Sequence, residues 1–269
     1  MISILRCVLL VLLGCRSQSP SGQVHEQSER FKLHIDGEFS PVTDGQTGEI
    51  LQPAITLALD LRVRLGPSRR FPDGSYGRLM HLDGAEMSRM EGSGPQVLGT
   101  EIAGRVVELR MFPDGEILDI SWGEKIAGQG RYLDAFDLIF PALSPAAPSI
   151  PDGERRQRSM IWPLRQAKTF RWDNTVEATW LNEGIVNVGE QIAWSLRYEG
   201  AWSTKGVTRE AKLPQKWMAT GFSSGTVRFA HDGSGMIEHE LNWNRMVSVQ
   251  GPSGVVTQDQ RFVGTVERY

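Results

Sequence analysis

Three groups of residues in this 269-residue chain carry side chains suited to chemistry. Gly221-Phe222-Ser223-Ser224-Gly225 has the G-x-S-x-G spacing, which exposes a nucleophilic serine where a buried strand turns sharply into a helix. Asp232 and His239 follow in the acid-then-base order that such a serine can use. Yet Thr226-Val227-Arg228-Phe229 reads as further strand, and no α/β alternation surrounds the motif, so a glycine–serine turn is the better reading. The second group is His231, Asp232, Glu238 and His239, the densest run of metal-ligand types. On a strand Glu238 and His239 point to opposite faces and cannot share one ion without a bulge. His239 has the parity of Leu241 and Trp243, which predicts a partly buried, hydrogen-bonded histidine. There is no H-E-x-x-H, no cysteine pair, no P-loop and no dinucleotide fingerprint, so no catalytic residue, metal or cofactor is assigned. The third group is aromatic. Of eight tryptophans, seven lie between Trp162 and Trp243. Tryptophans exposed on a sheet can stack on sugar rings or line an amphiphile groove. Trp194 and Trp243 have core parity; Trp172, Trp180, Trp202 and Trp217 are undecided.

Cys15 has a different chemistry, set by what precedes it. A basic residue, Arg6, is followed by an apolar run from Cys7 to Leu13 and a small residue, Gly14. This is the build of a secretory signal peptide, and the run is well short of the roughly 20 residues that span a bilayer. Leu12-Leu13-Gly14-Cys15 resembles the lipobox of bacterial lipoproteins. The resemblance implies cleavage before Cys15, a diacylglycerol on its sulfur and usually a third acyl chain on the new amino terminus. At about 0.8 kcal/mol per buried methylene, one chain holds weakly and two or three hold firmly. Arg16 stands where an Asp retains enterobacterial lipoproteins at the inner membrane, so the resemblance implies the outer membrane, facing the periplasm. Residues 16–30 carry a single aliphatic side chain and cannot bury enough apolar surface to fold. They read as a tether reaching roughly 20–25 Å as a coil and about 50 Å when straight.

Loss of the leader removes Arg6, leaving 28 basic and 32 acidic residues, a net charge of −4. That excludes the basic footprint of a nucleic-acid binder. Cys7 leaves with the leader and Cys15 takes the lipid, so the folded part has no cysteine and must rest on its core.

The rest of the chain alternates in polarity, the signal of half-buried strands. From Ile55 to Leu65, six aliphatic residues share one parity and therefore one face. Val107, Leu109 and Met111 alternate in the same way, as do Leu118, Ile120 and Trp122, and Ile192, Trp194, Leu196 and Tyr198. Ile237, Leu241, Trp243, Val247 and Val249 also share a parity, with Glu238, Glu240, Asn242 and Asn244 on the other. One-sided burial favours antiparallel sheets with one wet face. Turns are predicted at Phe71-Pro72-Asp73-Gly74, Phe112-Pro113-Asp114-Gly115, Asn182-Glu183-Gly184 and His231-Asp232-Gly233. One short helix is predicted over 131–140, with Tyr132, Phe136, Ile139 and Phe140 at helical spacing and Pro141 ending it.

The expected fold is mainly β, of antiparallel curved sheets. Its organisation is a leader at 1–14, lipidated Cys15 and tether to 30, a first β-rich half at 31–140, a Pro-rich linker at 141–158 and a second half at 159–269. Val106 to Trp122 and Gly225 to Trp243 both run strand, Asp-Gly turn, strand, tryptophan, which leaves two similar halves or one elongated domain. In the linker Arg155, Arg156 and Arg158 read as a solvated cluster or a contact for lipid phosphates. The expected role is a lipid-anchored, non-enzymatic binding or assembly factor. Its partners would be the membrane and a hydrophobic or glycan ligand or a protein, and no nucleic acid. The alternative is an envelope serine hydrolase acting through Ser223.

Overall fold

The computed structural model describes residues 27–90, 95–98, 102–111, 117–122, 139, 155–166, 170–208, 215–251 and 254–269. The leader, Cys15, most of the tether, the turn at 112–115 and the linker up to 154 lie outside the described residues. So does the predicted helix, apart from Ile139, which is buried in the core.

Every described pairing is antiparallel, as the alternation predicts. The first run of strands is β1 (Glu29–Phe39), β2 (Val42–Asp44), β3 (Ile50–Gln52), β4 (Ile55–Leu65), β5 (Arg69–Arg70), β6 (Tyr76–Met90), β7 (Pro95–Leu98), β8 (Val106–Met111) and β9 (Ile117–Trp122). The second is β10 (Arg155–Gln166), β11 (Phe170–Val188), β12 (Gln191–Thr208), β13 (Gln215–Ala230), β14 (Met236–Gly251) and β15 (Gly254–Arg268). All belong to one sheet, whose main path runs β10-β11-β12-β13-β14-β15-β1-β4-β6-β8-β9. The two runs meet where β15 pairs with β1 over Phe31↔Arg268 to Phe39↔Gln260. The strands at the two ends of the path, β9 and β10, come within 8 Å Cα to Cα. The sheet is thus open but strongly curved, with its edges brought near each other.

Curvature follows from what each face carries. On β1, Phe31, Leu33 and Ile35 are buried while Arg30, Lys32, His34, Asp36 and Glu38 on the opposite face are exposed. On β4, Leu59, Leu61, Val63 and Leu65 are buried. These join Leu196, Val227, Phe229, Leu241, Trp243, Phe262 and Val266 from the second run in a single core. Each such side chain contributes about 1.5–3 kcal/mol on full burial, and only by curling can one sheet cover its own apolar face. Close approach at the bends requires glycine. A Cβ on Gly200 would strike Glu177 O, and one on Gly225 would strike Glu240 O and lie 2.6 Å from the Tyr198 hydroxyl.

The turn at Phe71–Gly74 closes β5 onto β6, with Gly74 at φ 86° and its N–H donating to Phe71 O at 3.0 Å. The turn at His231–Gly233 links β13 to β14, with Gly233 N–H donating to Ala230 O at 3.1 Å. The two hairpins of the internal echo form, with Trp122 opposite Val107 and Trp243 opposite Ser223. Asn182-Glu183-Gly184 differs from expectation: it is a β-bulge inside the 19-residue β11, not a turn. Gly184 takes φ 93° there and its N–H donates to Asn182 Oδ1 at 2.9 Å. The same αL-tolerant residues serve bulges and turns. The chain reverses instead at Gly189 and Glu190, between the paired Val188 and Gln191. Arg155, Arg156 and Arg158, expected in a loop, stand at the start of β10.

Candidate functional site

Charged side chains that break the apolar parity mark the two ends of the curved sheet. At the end where β1 begins, Glu29, Arg78 and Arg268 stand on the core face among Phe31, Met80 and Val266. Arg78 is 2% exposed. Its Nη1 lies 2.7 Å from Glu29 Oε2 and its Nε donates to Gly66 O at 2.8 Å. Arg268 Nη1 is 3.6 Å from Glu29 Oε1. Burial pulls the Arg78 guanidinium below its ordinary value, and the Glu29 carboxylate opposes that pull. This buried ion cluster closes one end of the core.

At the opposite end of β1 a cleft of about 680 Å³ crosses β13, β14, β15, β1 and the start of β4. Its floor follows one rung of the sheet: Gly221↔Arg245↔Gln260↔Phe39↔Ile55. Side chains of that rung belong to the core face; those of the flanking Phe222, Asn244, Met246, Arg261 and Glu38 belong to the other. Just below the rung, Trp243 and Phe262 stack at 3.9 Å, and Phe39 meets Phe262 edge-on at 5.2 Å. The Arg245 guanidinium lies 4.3 Å over the Trp243 ring, a cation–π arrangement. Its Nε donates to Gln260 Oε1 at 2.6 Å, Gln260 Nε2 donates to Gln258 Oε1 at 2.8 Å, and Gln258 Nε2 donates to Ser40 O at 3.0 Å. So the apolar interior ends in a polar chain headed by a cation. Phe222 and Met246 on the cleft wall are 48% and 52% exposed, a large apolar surface left in water. Gly221 is required here because a Cβ would run into Asn244 O.

By register Trp180, Trp194, Trp217 and Trp243 occupy core-face positions of their strands. Trp243 is buried, Trp180 packs on Tyr198 at 4.7 Å, and Trp194 stacks on His231 at 5.2 Å. Trp202 pairs with Gly221 at the cleft rung, while Trp172 and Trp217 flank Gly206 two rungs further out.

The residues that suggested catalysis are not brought together. Ser223 lies in mid-strand on β13 and is buried, opposite Trp243 and Gly200, with no strand-to-helix turn. His239 pairs with Val227, four residues along, about 13 Å from Ser223 at the rise of a strand. Its Nε2 shares a 2.8 Å hydrogen bond with the Tyr198 hydroxyl, and it is the satisfied, buried histidine that parity predicts. Asp232 caps its own turn by accepting Ser234 N–H at 2.8 Å. Glu238 faces the other way and pairs with Arg228. Among the described residues no group of three or more His, Cys, Asp or Glu is arranged to hold a metal.

No protein-family model matches the chain, and no curated relative does. Solved structures similar to it include a porin variant from Rhodopseudomonas blastica, at 7% identity and a TM-score of 0.21, covering 89% of this chain and all of the porin. A protein described for the asymmetric conductivity of engineered proteins gives 8% identity and 0.21 over the same shares. OpdO of Pseudomonas aeruginosa gives 6% and 0.20, over 92% of this chain and 98% of its own. Scores of this size say nothing about what the chain does. Side-chain polarity on β1 and β4 is moreover the reverse of a membrane-spanning barrel, whose outer band is apolar: here the outer positions are Lys32, Asp36, Asp60, Arg62 and Arg64, and the apolar residues face inward.

Proposed function

We propose that this protein is a lipid-anchored, non-enzymatic binding protein of the bacterial envelope that holds an amphiphile in the cleft at the Arg245 rung. The observation that carries the reading is the cleft's composition. Phe222 and Met246, 48% and 52% exposed, offer apolar surface beside the polar Asn244 and the charged Arg261 and Glu38 of the same face, along the rung whose Arg245 caps the aromatic interior on the other face. An apolar pocket with a few convergent polar groups is the usual form of a small-ligand site. Lipidation of Cys15 would hold the protein at a membrane rich in such ligands, with a tether that enters the fold at Glu29, the end remote from the cleft. The test is titration of the purified protein with a dansyl-labelled fatty acid. Saturable fluorescence enhancement, weakened at least tenfold by Met246→Asp, supports the reading. An unsaturable response that is the same in both proteins refutes it. A hydrolase acting through Ser223 has no comparable support, because the serine sits in mid-strand apart from any base.

A further inference from the structure

Cys7 and Cys15 both precede β1, so the sulfur carried by the sheet is thioether sulfur. Among the described side chains it divides into two sets. Met80, Met87 and Met236 are buried at 0–2% exposure, as methionine usually is. Met90, Met218 and Met246 are 52–55% exposed. The exposed three share one face and one end of the sheet. Met246, on the cleft wall, stands between Thr220 and Asp259. Met218, opposite Ser248, lies diagonally across the β13–β14 register from it, at the roughly 7–8 Å that long side chains bridge. Met90 faces Thr56, on the rung that continues through Glu38, Arg261 and Asn244 to Phe222. None of the three supports the core, yet each places a soft, oxidisable group in water at the cleft end. We infer that Met246 is an oxidation site through which a peroxide turns off binding in the cleft, with Met218 and Met90 as neighbouring targets. This rests on the amphiphile-binding reading and adds its regulation. The Met246 Sδ lone pair attacks one oxygen of a hydroperoxide. An S–O bond forms as the O–O bond breaks, and the sulfur gives up two electrons. The departing oxygen takes the proton of the transferred one and leaves as water or an alcohol. The product is a sulfoxide, polar where the thioether was apolar. Its oxygen accepts hydrogen bonds, and an acyl chain laid against the cleft wall offers it no donor. A methionine sulfoxide reductase drawing on a thiol reductant reverses the step, which makes it a switch rather than damage.

The test is treatment of the purified full-length protein with hydrogen peroxide, followed by peptide mass spectrometry and by titration with the dansyl-labelled fatty acid. Met246 should gain one oxygen before Met80, Met87 and Met236 gain any. Affinity should then fall about tenfold, the factor for leaving one buried acceptor without a partner. It should return after incubation with methionine sulfoxide reductase and dithiothreitol. Met246→Leu, compared with its own untreated form, should lose no affinity to peroxide. Met90→Leu/Met218→Leu, whose changes lie outside the cleft lining, should lose as much as the unsubstituted protein. Three results overturn the switch and leave amphiphile binding standing: oxidation of Met246 with affinity unchanged, a loss that Met246→Leu suffers equally, or no loss in the double variant. Slower oxidation at Met246 than at the buried three overturns it too. An untreated protein that does not bind the fatty acid saturably overturns both readings.

Discussion

Replacing Glu29 with Gln tests the idea that an ion cluster seals one end of the core. The substitution keeps size and shape but removes the charge that faces Arg78. The side chains are 10% and 1% exposed, respectively, so the guanidinium is left in a dry site without the carboxylate that faces it. Breaking a buried pair from one side costs about 3–5 kcal/mol, because a buried charge is left uncompensated. With a urea dependence of about 3 kcal/mol per molar, the unfolding midpoint should fall by about 1 to 1.7 M with an unchanged slope. Arg268, 3.6 Å from Glu29, is less buried and can turn outward, so it adds little. Replacing both charges, in Glu29→Leu/Arg78→Met, should recover most of the loss, since an apolar pair of similar volume packs as well as a buried ion pair. Recovery should be incomplete because Gly66 O loses the Arg78 Nε donor. If Glu29→Gln lowers the midpoint by less than about 0.3 M, as removing a surface pair would, the cluster is solvated and the sealed-end account is wrong.

Other outcomes follow from the same geometry. Trp243→Ala empties a buried site stacked on Phe262 and roofed by Arg245, and should destabilise by about 3–5 kcal/mol in the same urea assay. Gly225→Ala should prevent native folding, seen as loss of near-ultraviolet dichroism, because its methyl would meet Glu240 O and the Tyr198 hydroxyl. Hydrogen bonds from the His34 ring to Asp60 above all, and to Asp36, raise the His34 pKa above its ordinary 6.5 against the pull of partial burial. Protonated His34 therefore adds stability that is complete below pH 6.5 and is lost as pH rises through the folded-state value. A nuclear magnetic resonance titration should show the raised His34 value and its fall in Asp60→Asn; an unchanged titration would remove the carboxylate from the explanation.

Much of the fold was legible because period-two alternation is a direct record of which face meets the core. Ile55–Leu65 is β4 from end to end, and the Leu241–Trp243–Val247 parity is the buried face of β14. Asn182-Glu183-Gly184 misled because a bulge and a turn call on the same backbone conformations. At 19 residues, β11 is also far longer than the usual strand of five or six. The closing of both runs into one sheet through β15 and β1 was not legible, since pairing between chain ends leaves no local mark. Nor was the cleft. A signal for it existed, however: Arg245 falls on the parity of Trp243 and Val247, as Glu29 falls on that of Phe31 and Arg78 on that of Met80. A charge at an apolar position is the informative exception in an alternating strand, and all three residues proved to sit at the ends of the core.

The most direct test of the whole account is native mass spectrometry of the protein extracted from the cell envelope in mild detergent. The expected mass is that of a chain beginning at Cys15 with covalent acyl chains, carrying one non-covalent amphiphile that Met246→Asp releases. A chain with an unmodified Cys15 thiol and no bound amphiphile would contradict the proposed anchor and the proposed role together.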